Sequence, residues 1–549
     1  AGTIEYHATK VWLDDGETER PTVTMELWRY RSGQAYTTAS LVRDANGKHF
    51  TLDLDDVTPN SDGTYDIDFT DNLPKYDPEG YRYRYVVREY LSGANADRYE
   101  QVFGIVEQDG TVTDTLPEYS PRDSNDTFLY NGGTLSNRLE GTVPVSVTKD
   151  WKAASFQSEF DDVMVELRLQ SRLKDQNAEW EDTQYAYQMF CFLAENLTVT
   201  HTENYPQYDI LGRELEYRWV EEAVWQGGTV QNNVYVGGSP VPSEEGADGS
   251  RTFTLWQNGR NMIYSSSCVL SDDDGKENCT IITNSIANVI DYDVIKEFSP
   301  SWNEDDYADT YTFSLFRSTS GSELERYATF TIDKDITNGS PNIFKYVADN
   351  ANLSIEQLGE WHVVIHGLPE FDADGQQYEY LLLESDGSPV TMTTERDDDG
   401  NYESVITNGP GSGNIILVRK EWIDESDSQH RLPVEITIYD KVTNKPIGVP
   451  VILGTDTWYA LVGIGNREPD EVYLLETKVG NAEIENSVDE NGDPIPPVYT
   501  ETVTGTAVRF STSYHDYEAT YSYDEDFGAS QSGGGSYKGI CCYTVTNRR

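Results

Sequence analysis

The chain has 549 residues, with 96 Asp+Glu against 40 Lys+Arg and a formal net charge of −56. That length exceeds the span of one hydrophobic core and suggests three or four domains. So acidic a surface argues against nucleic acid or an anionic membrane as partner, and with no apolar run of about 18 residues no membrane insertion is expected.

Plentiful Tyr, Thr and Val, with recurring Asn-Gly, Asp-Gly and Gly-Gly steps, predicts short strands joined by turns. No long stretch carries helical periodicity. The expected class is all-β.

The first predicted strand contains Thr9-Lys10-Val11-Trp12. Residues two apart share a face, so Tyr6, Ala8, Lys10 and Trp12 point together. A later strand, Tyr81 to Glu89, puts Glu89 with Tyr85 and Val87. A closing strand puts Asn137 with Leu135. The same order returns three times. Lys149, Glu221 and Asn284 share faces with Val147 and Trp151, with Tyr217 and Trp219, and with Ile282. Lys296, Glu384 and Asn408 lie with Val294 and Phe298, with Tyr380 and Leu382, and with Ile406. Lys420, Glu476 and Asn547 lie with Val418 and Trp422, with Val472 and Leu474, and with Val545. The step from each Asn to the next Lys is constant, since 149−137, 296−284 and 420−408 all equal 12. Glu-to-Asn spacing instead varies, from 89–137 to 384–408, as loop insertions permit. Four modules follow, at 1–140, 141–287, 288–411 and 412–549, joined by fixed junctions in an elongated rod.

Each module therefore aims one amine, one carboxyl and one carboxamide at its core. Burial lowers a lysine pKa and raises a glutamate pKa. A neutral amine held against an amide carbon is a nucleophile, and a carboxyl beside both relays protons. The expected product is a Lys–Asn isopeptide bond with loss of ammonia; the alternative is a buried ion pair with a hydrogen-bonded Asn. No cofactor is expected, and no turnover-enzyme motif appears.

At these residues the chain resembles the Cna protein B-type (CnaB) domains of Gram-positive adhesins and pilins. The matching pattern is Lys-x-aromatic, Arg20-Pro21, then LPKYDPEGYRYRYVVRE (Leu73 to Glu89) and LPEFDADGQQYEYLLLE (Leu368 to Glu384), with YPQYDILGRELEYRWVE looser in the second module, and a closing Ile-Thr-Asn. The fourth module has Val472 in place of the tyrosine. The resemblance implies a seven-stranded immunoglobulin-like sandwich. It implies self-catalysed bonds Lys10–Asn137, Lys149–Asn284, Lys296–Asn408 and Lys420–Asn547, assisted by Glu89, Glu221, Glu384 and Glu476. It also implies a stalk on the cell wall of a Gram-positive bacterium, whose partners are other domains of the same surface protein. Neither a Leu-Pro-x-Thr-Gly signal nor a Tyr-Pro-Lys pilin motif is present. The rival reading is an adhesin whose insertions, residues 91–130, 223–278 and 477–540, contact a host or cell-surface ligand.

Five cysteines are too few for a disulfide framework. Cys268 and Cys279 are candidates to close a hairpin, and no metal spacing occurs. Asp-rich stretches at 271–275, 397–401 and 489–493 read as turns rather than calcium loops.

Overall fold

Alternating burial organises the strands. In Thr142–Lys152, Val145, Val147, Lys149 and Trp151 are buried while the residues between them are half-buried. A strand with one apolar face needs a second sheet to cover it. The computed structural model describes residues 2–549 except 18, 36–37, 108–110, 114–128, 131, 156–160, 175–177, 233, 247–249, 258, 272–277, 304–306, 309, 320–321, 323, 334–353, 360, 385–388, 410–413, 425–429, 455–456, 500–506 and 528–539. Among the described residues there is no α-helix. The strands form four tandem immunoglobulin-like sandwiches, each with its own apolar core.

All four share one plan. The lysine strands are Thr3–Leu13, Thr142–Lys152, Val289–Phe298 and Asn414–Ile423. The asparagine strands, Thr134–Leu139, Cys279–Ile286, Tyr402–Asn408 and Ile540–Arg548, lie beside them. This pairing is parallel in every module. A parallel pair needs a crossover, and here the crossover is the remainder of the module. The glutamate strands, Tyr83–Ser92, Leu215–Gln231, Glu379–Glu384 and Val472–Val479, belong to the opposite sheets.

The seven-strand plan is enlarged: the second module has sheets of six and four strands. The additions are the described parts of the insertions. Tyr99–Phe103 pairs with the first asparagine strand. Arg251–Gln257 and Arg260–Leu270 extend the second lysine sheet, and Val508–Ser511 and Asp516–Phe527 the fourth. Their aromatic residues Tyr99, Phe253, Tyr264, Tyr517 and Tyr521 are buried. Those five rings are therefore core, while Trp256 on the same added strands is 57% exposed.

The junctions are of two kinds. Between modules one and two, and two and three, a tight turn of the later module meets the end of the earlier lysine strand. Gly212 (φ +75°) lies so close to Leu13 that a Cβ there would collide with its carbonyl oxygen. Gly375 (φ +76°) lies likewise against Lys152, and Phe371 enters the core cluster of the second module. Modules three and four instead meet flank to flank. Leu381 and Leu383, which alternate with the core residues Tyr380 and Leu382, pack with Phe316 against Leu417, Tyr459 and Cys542. The Tyr459 hydroxyl donates to the Tyr380 carbonyl at 2.7 Å, and the Trp458 amide to the half-buried Glu379 carboxylate at 2.9 Å. Two joints are end-on and one is flank to flank, so the constant twelve-residue step does not fix a single junction geometry. The sequence carries a sign of this. The third step contains Gly409-Pro410-Gly411-Ser412-Gly413, and the third asparagine strand stops at Asn408, whereas the first two run two residues past their asparagines to Leu139 and Ile286. Glycine and proline are poor continuers of a strand.

Candidate crosslinking sites

The parallel register places the three groups. Trp12 stands opposite Asn137, Trp151 opposite Asn284, Phe298 opposite Asn408 and Trp422 opposite Asn547. Each lysine is two residues before its aromatic, so it lies diagonally from the asparagine on the same inward face. The glutamate reaches them from the facing sheet. All twelve side chains named from the sequence come together as four triads.

In the first module, Lys10 Nζ is 3.4 Å from Glu89 Oε1, and Asn137 Nδ2 donates to that same oxygen at 3.2 Å. In the second, Glu221 Oε2 takes Lys149 at 3.1 Å and Asn284 at 3.2 Å. In the fourth, Glu476 Oε1 takes Lys420 at 3.2 Å and Asn547 at 3.2 Å. The third differs, because Lys296 meets Oε2 of Glu384 at 3.3 Å while Asn408 donates to Oε1 at 2.6 Å. In every case one carboxyl touches both the amine and the amide nitrogen.

The lysine side chains are fully shielded from solvent. Each ammonium carbon chain ends over the aromatic two residues on, at 4.5 Å for Trp12, 4.9 Å for Trp151, 5.0 Å for Phe298 and 4.9 Å for Trp422. Burial pulls the lysines down, to about 8 at Lys10, Lys296 and Lys420, and lowers Lys149 too, against the opposing pull of each glutamate. Burial pushes Glu476 up. The four asparagine Oδ1 atoms are buried without a hydrogen-bond donor. A buried carbonyl left unmatched costs about 1–3 kcal/mol, and the feature recurs at all four sites.

Further residues support the triads, and Gln101, Asp14 and Asp424 among them were not singled out from the sequence. Gln101 donates to the second oxygen of Glu89 at 2.7 Å. Arg20 holds Asp14 through two hydrogen bonds at 2.7 and 2.8 Å, and Arg431 holds Asp424 at 2.8 and 2.7 Å. Both aspartates lie four residues after their lysine, where the second and third modules have Ala153 and Pro300. The signal was present: the arginine before the proline occurs in the two modules that have this aspartate. The tyrosine four before each glutamate has a task as well. Tyr85, Tyr217 and Tyr380 donate to the carbonyls of Pro74, Pro206 and Pro369, each at 2.7 Å. In the fourth module Val472 cannot, and Tyr543 reaches the Pro469 carbonyl at 2.6 Å from the asparagine strand.

The Cys268–Cys279 pairing is not met. Strand register sets Cys268 opposite Ile282, three residues from Cys279, and both thiols are free. Three residues of strand are about 10 Å, beyond the reach of a disulfide. Among the described residues no metal-binding group of His, Cys, Asp or Glu occurs. Asp397 and Asp489 use Oδ1 to accept backbone amides of their own turns; residues 272–275 lie outside the described residues.

No family model matches this chain, and no curated protein does. Among solved structures it is similar to two B repeat units of the collagen-binding protein of Staphylococcus aureus, at 16% identity and TM-score 0.34 over 100% of this chain and 99% of that one. It is also similar to the pilus adhesin SpaC from Lactobacillus rhamnosus GG, at 11% identity and TM-score 0.20 over 96% of this chain and 57% of that one. The major pilin of Streptococcus pyogenes matches at 11% identity and TM-score 0.17 over 48% of this chain and 98% of that one.

Proposed function

We propose that this chain is a covalently braced stalk of a bacterial surface protein, at the cell wall of a Gram-positive organism, in which each module forms its own Lys–Asn isopeptide bond. The observation that carries this reading is the glutamate carboxyl touching both amine and amide in all four modules.

The chemistry balances within each triad. The neutral lysine Nζ attacks the asparagine Cγ, and the new Nζ–Cγ bond forms as the Cγ–Nδ2 bond breaks. The glutamate takes a proton from Nζ and returns it to Nδ2, which leaves as ammonia. Rotating the carboxamide brings Oδ1 to the carboxyl, where a protonated glutamate polarises the carbon under attack. Desolvation favours the uncharged amine and acid over the ion pair, and contact supplies the effective concentration. The product is a neutral amide, so the lysine nitrogen can no longer take up a proton in the core.

The mechanical consequence follows from placement. The bond joins the first and last strands of each sandwich, so tension entering by one and leaving by the other bypasses the enclosed residues. The intact mass tests the proposal: the chain should weigh less than its sequence by one ammonia per bond formed. An unmodified mass would sink it.

A further inference from the structure

The end-on joints have a repeated construction, and the first module carries half of one. In the second module, Asp209 Oδ1 accepts the Leu211 and Arg213 amides at 2.9 and 2.8 Å, and the Gln207 amide donates to the Gly141 carbonyl at 2.9 Å. In the third, Asp372 Oδ1 accepts the Asp374 and Gln376 amides at 2.9 and 2.8 Å, and the Glu370 amide donates to the Asn288 carbonyl at 3.0 Å. Both turns are docked on the preceding module through a glycine at positive φ and an aromatic residue, Tyr208 or Phe371. An arginine of the preceding module meets each: Arg98 donates to the Tyr208 hydroxyl at 3.1 Å, and Arg260 lies over the Phe371 ring at 5.8 Å.

The first module repeats this half in full. Asp77 Oδ1 accepts the Glu79 and Tyr81 amides at 2.9 and 2.8 Å, and the Lys75 amide donates to the Gly2 carbonyl at 2.8 Å. Gly80 sits at φ +86° like Gly212 and Gly375, yet nothing lies within 4 Å of a Cβ built there. Tyr76, at the position of Phe371, is 43% exposed where Phe371 is 5% exposed, and Tyr81 beside it is 55% exposed. The fourth module has a 3-10 turn, Pro469–Glu471, before its glutamate strand, and that module joins by its flank. In modules two to four, the Asp turn ahead of the glutamate strand occurs with the end-on joints and the 3-10 turn with the flank joint; the same Asp turn at other positions, at Asp44 and Asp489, stands uncovered at Gly47 and Gly492.

We infer that the turn Lys75–Arg82 is a docking surface for one more sandwich of this construction placed ahead of the first module. Its partner presents a bare backbone carbonyl three residues past its lysine and an arginine to Tyr76. The inference rests on the joints and is independent of the crosslink.

The test uses a five-module protein, in which residues 1–139 are added directly ahead of Ala1. The added asparagine then stands 139−137+10, or 12, residues before Lys10, the native step. Hydroxyl-radical footprinting is compared in the four- and five-module proteins. Oxidation of Tyr76 and Tyr81 in the original first module should fall severalfold in the longer protein, toward the rates of Tyr208 and Phe371. Gly80→Leu should restore it, and so should Arg98→Ala in the added copy, which leaves the turn itself untouched. Equal oxidation of Tyr76 in both proteins would overturn the inference. So would protection in the four-module protein that grows with concentration, which would assign the face to a second copy.

Discussion

Replacing Glu89 by Gln removes the proton carrier from the first triad while keeping its size. The Lys10–Asn137 bond would enclose 137−10, or 127, residues. Loop-closure entropy for a crosslink of that span contributes about 5 kcal/mol. Without the bond, Lys10 must also enter the core without a counter-charge. It does so as the neutral amine, and stripping its proton at pH 7 costs at most about 5 kcal/mol from an ordinary lysine pKa. The combined loss of about 5–10 kcal/mol is comparable to the whole stability of a domain. The first module should melt lower by roughly 15 °C or more. Intact mass and calorimetry on the same sample make the assay, with the mass deficit falling by one ammonia and only one transition moving. A Glu89→Gln protein that keeps the full deficit would refute the role of the carboxyl. One that loses the bond but melts with the parent would refute the energetics.

Asn137→Ala leaves Lys10 and Glu89 uncrosslinked and exposes a pH dependence. The folded pKa of Lys10 is lowered from 10.5 to about 8, so the unfolded chain binds the extra proton between those values. The penalty, about 3 kcal/mol, is full below pH 8 and fades as pH rises toward 10.5. Urea unfolding should show the variant closing on the parent at alkaline pH, and a gap that widens there would contradict the assignment. Gly212→Val should loosen the first joint, because its Cβ meets the Leu13 carbonyl; X-ray scattering should broaden without loss of any module's transition. Leu383→Asp buries a charge in the contact between the third and fourth modules. Scattering should then report a longer particle and Cys542 should react faster with thiol reagents; an unchanged envelope would deny that this face holds the modules together. Thiol titration of the denatured, non-reduced chain should count Cys268 and Cys279 as free.

How much of this was legible beforehand depends on the range of the interaction. Period-two alternation is local, so the inward placement of Lys149, Glu221 and Asn284 could be read directly, as could the fourfold order and its twelve-residue step. The loops at Asp209 and Asp372 entered only as part of the family pattern, although an Asp with a Gly three residues on has a local backbone reason to turn. The braces at Asp14–Arg20 and Asp424–Arg431 lie within one loop and were readable too, though only by setting the modules side by side. Tertiary structure alone decided what depends on the meeting of distant surfaces. The parallel register, which sets each lysine diagonally from its asparagine, closes over more than a hundred residues of intervening chain. Cys268 and Cys279 looked close in sequence and are parted by register. Phe371 leaves its own module for the core of the one before. The fourth module lies along the third because Leu383 and Leu417 are apolar on faces that a single strand pattern assigns to solvent, and only a neighbouring sheet can cover them.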